Sequence, residues 1–317
     1  MRPAWRERPE AGSIAVIRLS RHLVLLFGRT ASRAALLLVC GYYLLRRAPE
    51  RRASRAYLQR VLGRPPSLLL IWRHFFVFAT ATLDRVYLLT ERFRRFKITV
   101  EGLETMHEAL DQGQGVLLFG SHLGSFDALR VLSLERPDIP VRIVLDVEQN
   151  PAISDTLNAL HPGLANTIIN ARVSGPALAL AIREALDRKS IVALLVDRAR
   201  PGNAMLSADF LGASAAFPQA PWLLAAALKT PVFLSFGLFR GGNRYDLYFE
   251  RFADSIRIER GARAAALSQV VQRFSDRLSH YARLAPFNWF NFYDFWLLPD
   301  PDGGDVGSDP GGARHGA

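Results

Sequence analysis

Residues 115–127 read Gly-Val-Leu-Leu-Phe-Gly-Ser-His-Leu-Gly-Ser-Phe-Asp. The apolar run 116–119 describes a strand covered on both faces of a sheet. Gly120 ends that strand and delivers His122 into a turn, with Asp127 five residues further on. In open α/β sheets this edge is where ligands bind. A histidine whose ring is held by a carboxylate acts as a general base on a hydroxyl. The window therefore points to acyl or phosphoryl transfer to an alcohol.

The pattern around this window fixes the fold class. Strands are expected at 97–101, 116–119, 141–145, 167–169, 190–196, 232–238 and 245–251. Helices are expected at 103–112, 126–134, 151–160, 175–187, 217–228 and 261–284. Alternating strands and helices give an α/β domain, here a mixed sheet flanked by helices over 96–298. Residues 13–95 read as helices broken at Pro49, Gly63 and Pro65-Pro66. Residues 1–12 read as a flexible start, and 299–317, rich in Gly, Asp and Pro, as a disordered tail.

Charge separates the helical region from the rest. Residues 1–97 hold 20 of the 40 Lys and Arg but 5 of the 29 Asp and Glu. Such a basic region points to a polyanionic partner. Its apolar runs are short and interrupted by Arg18, Arg21, Arg29 and Arg33, and the longest covers only 34–45. A spanning helix needs about 20 apolar residues, so interfacial helices on an anionic membrane fit better, although a short span over 23–45 also fits. Arg46, Arg47, Arg51, Arg52 and Arg55 follow directly, which assigns this end to the cytoplasmic face. Nucleic acid is not an expected partner, because no recognition module accompanies the basic residues. Cys40 is the single cysteine, which rules out an intramolecular disulfide and suits a reducing compartment.

Strand–Gly-Ser-His-x-Gly-Ser-Phe-Asp resembles the His-x4-Asp/Glu motif of the glycerolipid acyltransferase superfamily, in particular its branch of bacterial lipid A biosynthesis acyltransferases. Ser190 to Arg198, a strand ending in Asp197-Arg198, resembles the family's second strand. Asp209-Phe210-Leu211-Gly212 and Ala216-Phe217-Pro218 resemble the segment that follows it. Residues 288–296, Asn-Trp-Phe-Asn-Phe-Tyr-Asp-Phe-Trp, look like a subgroup associated with aryl polyene or flexirubin pigment loci. The resemblance runs over nearly the whole chain. It implies a glycerolipid-acyltransferase-like fold and an enzyme on the cytoplasmic face of the bacterial inner membrane. That enzyme takes a fatty acyl chain from acyl carrier protein, or from coenzyme A, to a lipid or glycolipid acceptor, with no further cofactor.

Within that resemblance His122 is the general base and Asp127 orients its ring. Backbone N–H groups around Gly120 to Gly124 are the expected oxyanion donors. Gly124, Ser125, Asp197 and Arg198 are the expected substrate-binding residues. Arg198 suits a phosphate, a carboxylate or the oxyanion, and equally a structural ion pair with Asp197. The segment Asp146-Val147-Glu148-Gln149-Asn150 departs from the family's acceptor-binding pattern, which leaves the acceptor open. The aromatic cluster 288–296 fits an acyl groove, a membrane anchor or plain core. The remaining histidines have no metal-ligand spacing, so no metal site is expected. Ser125 lacks the Gly-x-Ser-x-Gly elbow of a nucleophile. A hydrolase or thioesterase on the same fold, or a non-catalytic membrane scaffold, are the competing readings.

Overall fold

The computed structural model describes residues 14–88, 91–129, 136–146, 167–198 and 203–296. The expectations for 1–12, 151–160 and 299–317 lie outside the described residues.

Seven strands form the central sheet: β1 (Lys97–Glu101), β2 (Val116–Gly120), β3 (Val141–Leu145), β4 (Ile168–Asn170), β5 (Ile191–Leu195), β8 (Val232–Gly241) and β9 (Arg244–Ala253). Their order is β1-β9-β8-β2-β5-β3-β4. Only β8 and β9 pair antiparallel, which makes the sheet mixed. β2 lies in the middle, and Val116 to Phe119 have no solvent exposure. Its side chains alternate between two cores, as a pleated strand requires. Leu117 and Phe119 enter one core, Val116 and Leu118 the other.

The first core is closed by α5 (Gly175–Asp187), α6 (Ala220–Leu228) and α7 (Arg263–Leu284), through residues such as Ile182, Trp222 and Phe274. The second is closed by α4 (Leu103–Asp111) and the C-terminal half of α3 (Leu68–Leu88), through Met106 and Tyr87. α2 (Ala48–Leu62) completes the first core with Tyr57 and Leu58.

Two segments differ from the sequence expectation. The expected helix 217–228 begins only at Ala220, and the residues before it belong to a hairpin, β6 (Met205–Phe210) and β7 (Ala213–Pro218), with Phe217 opposite Leu206. The two residues between the strands, Leu211 and Gly212, both have positive φ (53° and 79°), the geometry of a tight hairpin turn. Leu-Gly is a poor sequence signal for that turn, and the apolar strand merged with the helix behind it. After His122, the described part of the expected helix is a 3-10 turn, Phe126–Leu129.

α1 runs over Ile14–Arg46 and is broken at Gly28 (φ 77°, ψ 170°). Beyond the break, Arg29 makes a two-pronged ion pair with Asp84 of α3, at 2.6 and 2.7 Å. Tyr245 on β9 donates to the same carboxylate at 2.9 Å. Asp84 is fully buried, and removing one partner of such a pair costs about 3–5 kcal/mol. Arg29 is thus turned inward, and the outward face of α1 is apolar: Phe27, Leu37, Leu38, Val39, Tyr42 and Leu45 are all exposed. No helix among the described residues is long and apolar enough to cross a membrane.

Candidate active site

β2 and β5 are parallel neighbours, with Gly120 beside Leu195. Each chain leaves its strand at the same sheet edge, and two residues later come His122 and Asp197. The register therefore sets these two side chains against each other. His122 Nδ1 lies 2.7 Å from Asp197 Oδ1, and the His122 backbone N–H donates to Asp197 Oδ2 at 3.0 Å. A carboxylate on Nδ1 fixes the proton there and leaves the Nε2 lone pair for a substrate. The His122 side chain keeps 27% of its surface open to solvent, while Asp197 has none.

The electrostatics suit a base. Burial, first, and the Arg198 charge push the imidazole pKa below the ordinary histidine value, against the pull of Asp197; Arg85 adds to the depression. The ring is therefore neutral and able to accept a proton at neutral pH. Burial pushes the Asp197 carboxyl up, but His122, Arg198 and the His122 backbone amide outweigh it and hold it below the usual carboxylate range.

This corrects the expected partner of the imidazole. Asp127 Oδ2 instead accepts from Arg85 Nε of α3 at 2.7 Å. The 3-10 turn carries Asp127 toward α3 rather than back over the ring. The charge of Arg85 in turn reaches the imidazole.

The expected backbone oxyanion donors are also largely committed. The N–H of His122 goes to Asp197, that of Gly124 to the Asn288 carbonyl (2.7 Å) and that of Ser125 to the Gly237 carbonyl (2.7 Å). Gly124 is a backbone requirement: its φ is 80°, and a Cβ there would lie 2.0 Å from the Gly237 oxygen. Ser125 is buried, and its hydroxyl has no hydrogen-bond partner among the described residues.

The aromatic segment expected as groove, anchor or core lies across the His122 turn as a strap. Phe290 N–H donates to the His122 carbonyl at 2.8 Å, reciprocating the Gly124–Asn288 bond, and Leu123 bridges Trp289. The Asn288 side chain grips Phe239 of β8 through both its oxygen (2.7 Å) and its nitrogen (3.1 Å). His74 of α3, fully buried, holds the Trp289 carbonyl with Nε2 at 2.8 Å and Ser54 of α2 with Nδ1 at 2.8 Å. A carbonyl only accepts, so the His74 proton is on Nε2 and Ser54 donates to Nδ1.

Arg198 stands beside the dyad. It donates to the Phe290 carbonyl at 2.8 Å and to Asn291 Oδ1, and it lies over the Tyr293 ring at 5.5 Å. Asn291 and Arg85 were not singled out from sequence. A polar residue within an aromatic run was the only signal for Asn291, and nothing local marks Arg85.

A partly exposed strand-edge histidine whose Nδ1 is held by a buried carboxylate fits activation of a hydroxyl or amine. A family model of bacterial lipid A biosynthesis acyltransferases matches residues 40–297. The chain belongs to this family. It is an acyltransferase, as the family resemblance of the His122 and Asp197 segments implied. The match includes His122, Asp127, Asp197, Arg198 and Asn291, and it begins at Cys40, inside α1. No curated protein matches the chain.

Proposed function

We propose that this lipid acyltransferase moves a fatty acyl chain from acyl carrier protein, or from coenzyme A, to a hydroxyl or amine of a lipid or glycolipid. The observation that carries the mechanism is the His122–Asp197 contact with Nε2 left for substrate. Nε2 takes the acceptor's proton as its oxygen or nitrogen attacks the thioester carbonyl. The tetrahedral intermediate collapses, the C–S bond breaks, and the departing thiolate takes the proton from the imidazolium. Asp197 stabilises that imidazolium without taking the proton itself. The guanidinium of Arg198 supplies positive charge beside the ring, in the role expected of the backbone amides that are already committed.

The enzyme works on the cytoplasmic face of the bacterial inner membrane. Support comes from α1, where Leu38 is 81% and Leu45 79% exposed on an otherwise apolar face, with exposed Arg46, Arg47, Arg52 and Arg55 next along the chain. Exposed apolar surface rimmed by arginine suits an anionic bilayer. The same arginines suit an acidic carrier protein. The likeness of 288–296 to the pigment-associated subgroup bears on the acceptor, for which lipid and glycolipid both fit.

Mass spectrometry of total lipids from cells carrying wild type or His122→Ala tests this reading. A lipid lacking one acyl chain in the variant identifies acceptor and chain length together. Unchanged lipids, with the variant protein present at wild-type level, would overturn it.

A further inference from the structure

Asn291 is fully buried between aromatic neighbours, Phe290 and Phe292, where an amide is costly unless both its ends are paired. Both are. Its Nδ2 donates to Asp197 Oδ2 at 3.2 Å, and its Oδ1 accepts from Arg198 Nε. The amide has one orientation only. Turned over, it would set NH2 against a guanidinium and an oxygen against a carboxylate, two repulsive contacts in place of two bonds.

Asp197 and Arg198 are consecutive and oppositely charged, at the exit of β5 where no strand pairing holds them. A direct ion pair between them is the obvious alternative arrangement. It would draw the carboxylate off the His122 Nδ1 proton. The amide blocks this, because it occupies the carboxylate oxygen not used by the imidazole and the guanidinium nitrogen nearest the main chain. The Phe290 carbonyl and the Tyr293 ring also engage Arg198 from the same strap.

We propose that Asn291 is a positioning residue of the acyltransferase site, a spacer that keeps Asp197 on His122 and Arg198 separately charged beside it. The proposal rests on the His122–Asp197 reading above. Among the described residues, the charged groups acting on the imidazole are Asp197 and Arg198 from the end of β5 and Arg85 from α3. The spacer decides how the first two divide their charge.

The test is an NMR titration of the His122 ring nitrogens in the full-length protein with 15N-labelled histidine, which needs no substrate. Asn291→Ala and Asn291→Asp are compared with wild type, each checked for a cooperative melt. In Asn291→Ala, Arg198 moves onto Asp197 and the His122 titration shifts to lower pH by about one unit. In Asn291→Asp, an added carboxylate shifts it to higher pH. Opposite shifts in two folded variants are not produced by a merely structural role. Coincident titrations in wild type and whichever variant folds would overturn the spacer, as would shifts of the same sign in both. His122→Ala lipid profiles separate the two levels. Acyl loss there with coincident titrations removes the spacer and keeps the base, whereas intact lipids remove the base itself.

Discussion

His122 Nδ1 lies 2.7 Å from Asp197 Oδ1 although 75 residues of sequence separate them. The nearer carboxylate, Asp127, is engaged by Arg85. Asp197→Asn is therefore expected to be the more damaging change, because it removes the charge that stabilises the imidazolium. Turnover should fall on the order of 10²–10⁴-fold. Asp127→Asn should cost on the order of tenfold, the scale of one partly exposed ion pair and its knock-on effect. Acyl transfer by the two purified variants, side by side, checks the order, and an equal or reversed ranking would return the orienting role to Asp127.

With His122 as the proposed base, the same dyad should set the pH dependence of activity. The base works when neutral, and its pKa is lowered in the folded enzyme. Activity should be flat above the ordinary histidine value of about 6.5 and fall only as pH drops through the lowered one. A kcat/KM profile with its acid limb above that value would contradict the assignment.

His74 makes stability, rather than activity, depend on pH. Burial lowers its pKa to about 4, against the lesser opposing effect of the Trp289 carbonyl. In the unfolded chain the ring protonates near 6.5, so a depressed folded value favours folding at higher pH. The contribution is complete above about 6.5 and is lost as pH falls toward 4, ~3 kcal/mol across that window. Urea unfolding at pH 7 and pH 4.5 measures it, and His74→Gln should flatten that part of the dependence. An unchanged slope in His74→Gln would show that the ring does not hold the strap to α2 and α3 in this way.

Gly124→Ala removes no functional group yet should inactivate the enzyme. Its φ of 80° is unfavourable for alanine, and the new methyl meets the Gly237 carbonyl of β8. The cost is about 1–2 kcal/mol of backbone strain plus displacement of the turn that carries His122. Folded protein by circular dichroism with turnover reduced at least about tenfold is the expected result. Wild-type turnover would mean that the turn tolerates a shift of its glycine.

Leu38→Glu with Leu45→Glu tests the outward face of α1. A buried leucine is worth about 1.5–3 kcal/mol, so losing two should weaken binding to phosphatidylglycerol-containing vesicles by more than tenfold. The fold is unaffected, because both side chains already face away from the protein. Co-sedimentation with vesicles reads the effect, and undiminished binding would move the membrane contact elsewhere.

The sequence alone carried the architecture wherever burial leaves a local mark. Val116 to Phe119 and Ile191–Leu195 read as strands because a sheet covered on both faces needs unbroken apolar runs. Gly175–Asp187 read as a helix from the spacing of its apolar residues. The basic, apolar N-terminal helices and the histidine at a strand exit were legible for the same local reason. The hairpin β6–β7 was not, because an apolar strand followed directly by an apolar helix gives one continuous signal.

The partners within the site were decided only by tertiary structure. Spacing along the chain favoured Asp127 for His122, but contact depends on which strands are neighbours, and β5 lies against β2 in a register that brings Asp197 level with the histidine. Asn291 reaches the same carboxylate from 94 residues away. Arg29 and Arg33 look from sequence like breaks in an interfacial helix, yet Arg29 is turned inward onto Asp84 and Tyr245. Periodicity records which side of an element is buried, and the folded chain alone determines what that side is buried against.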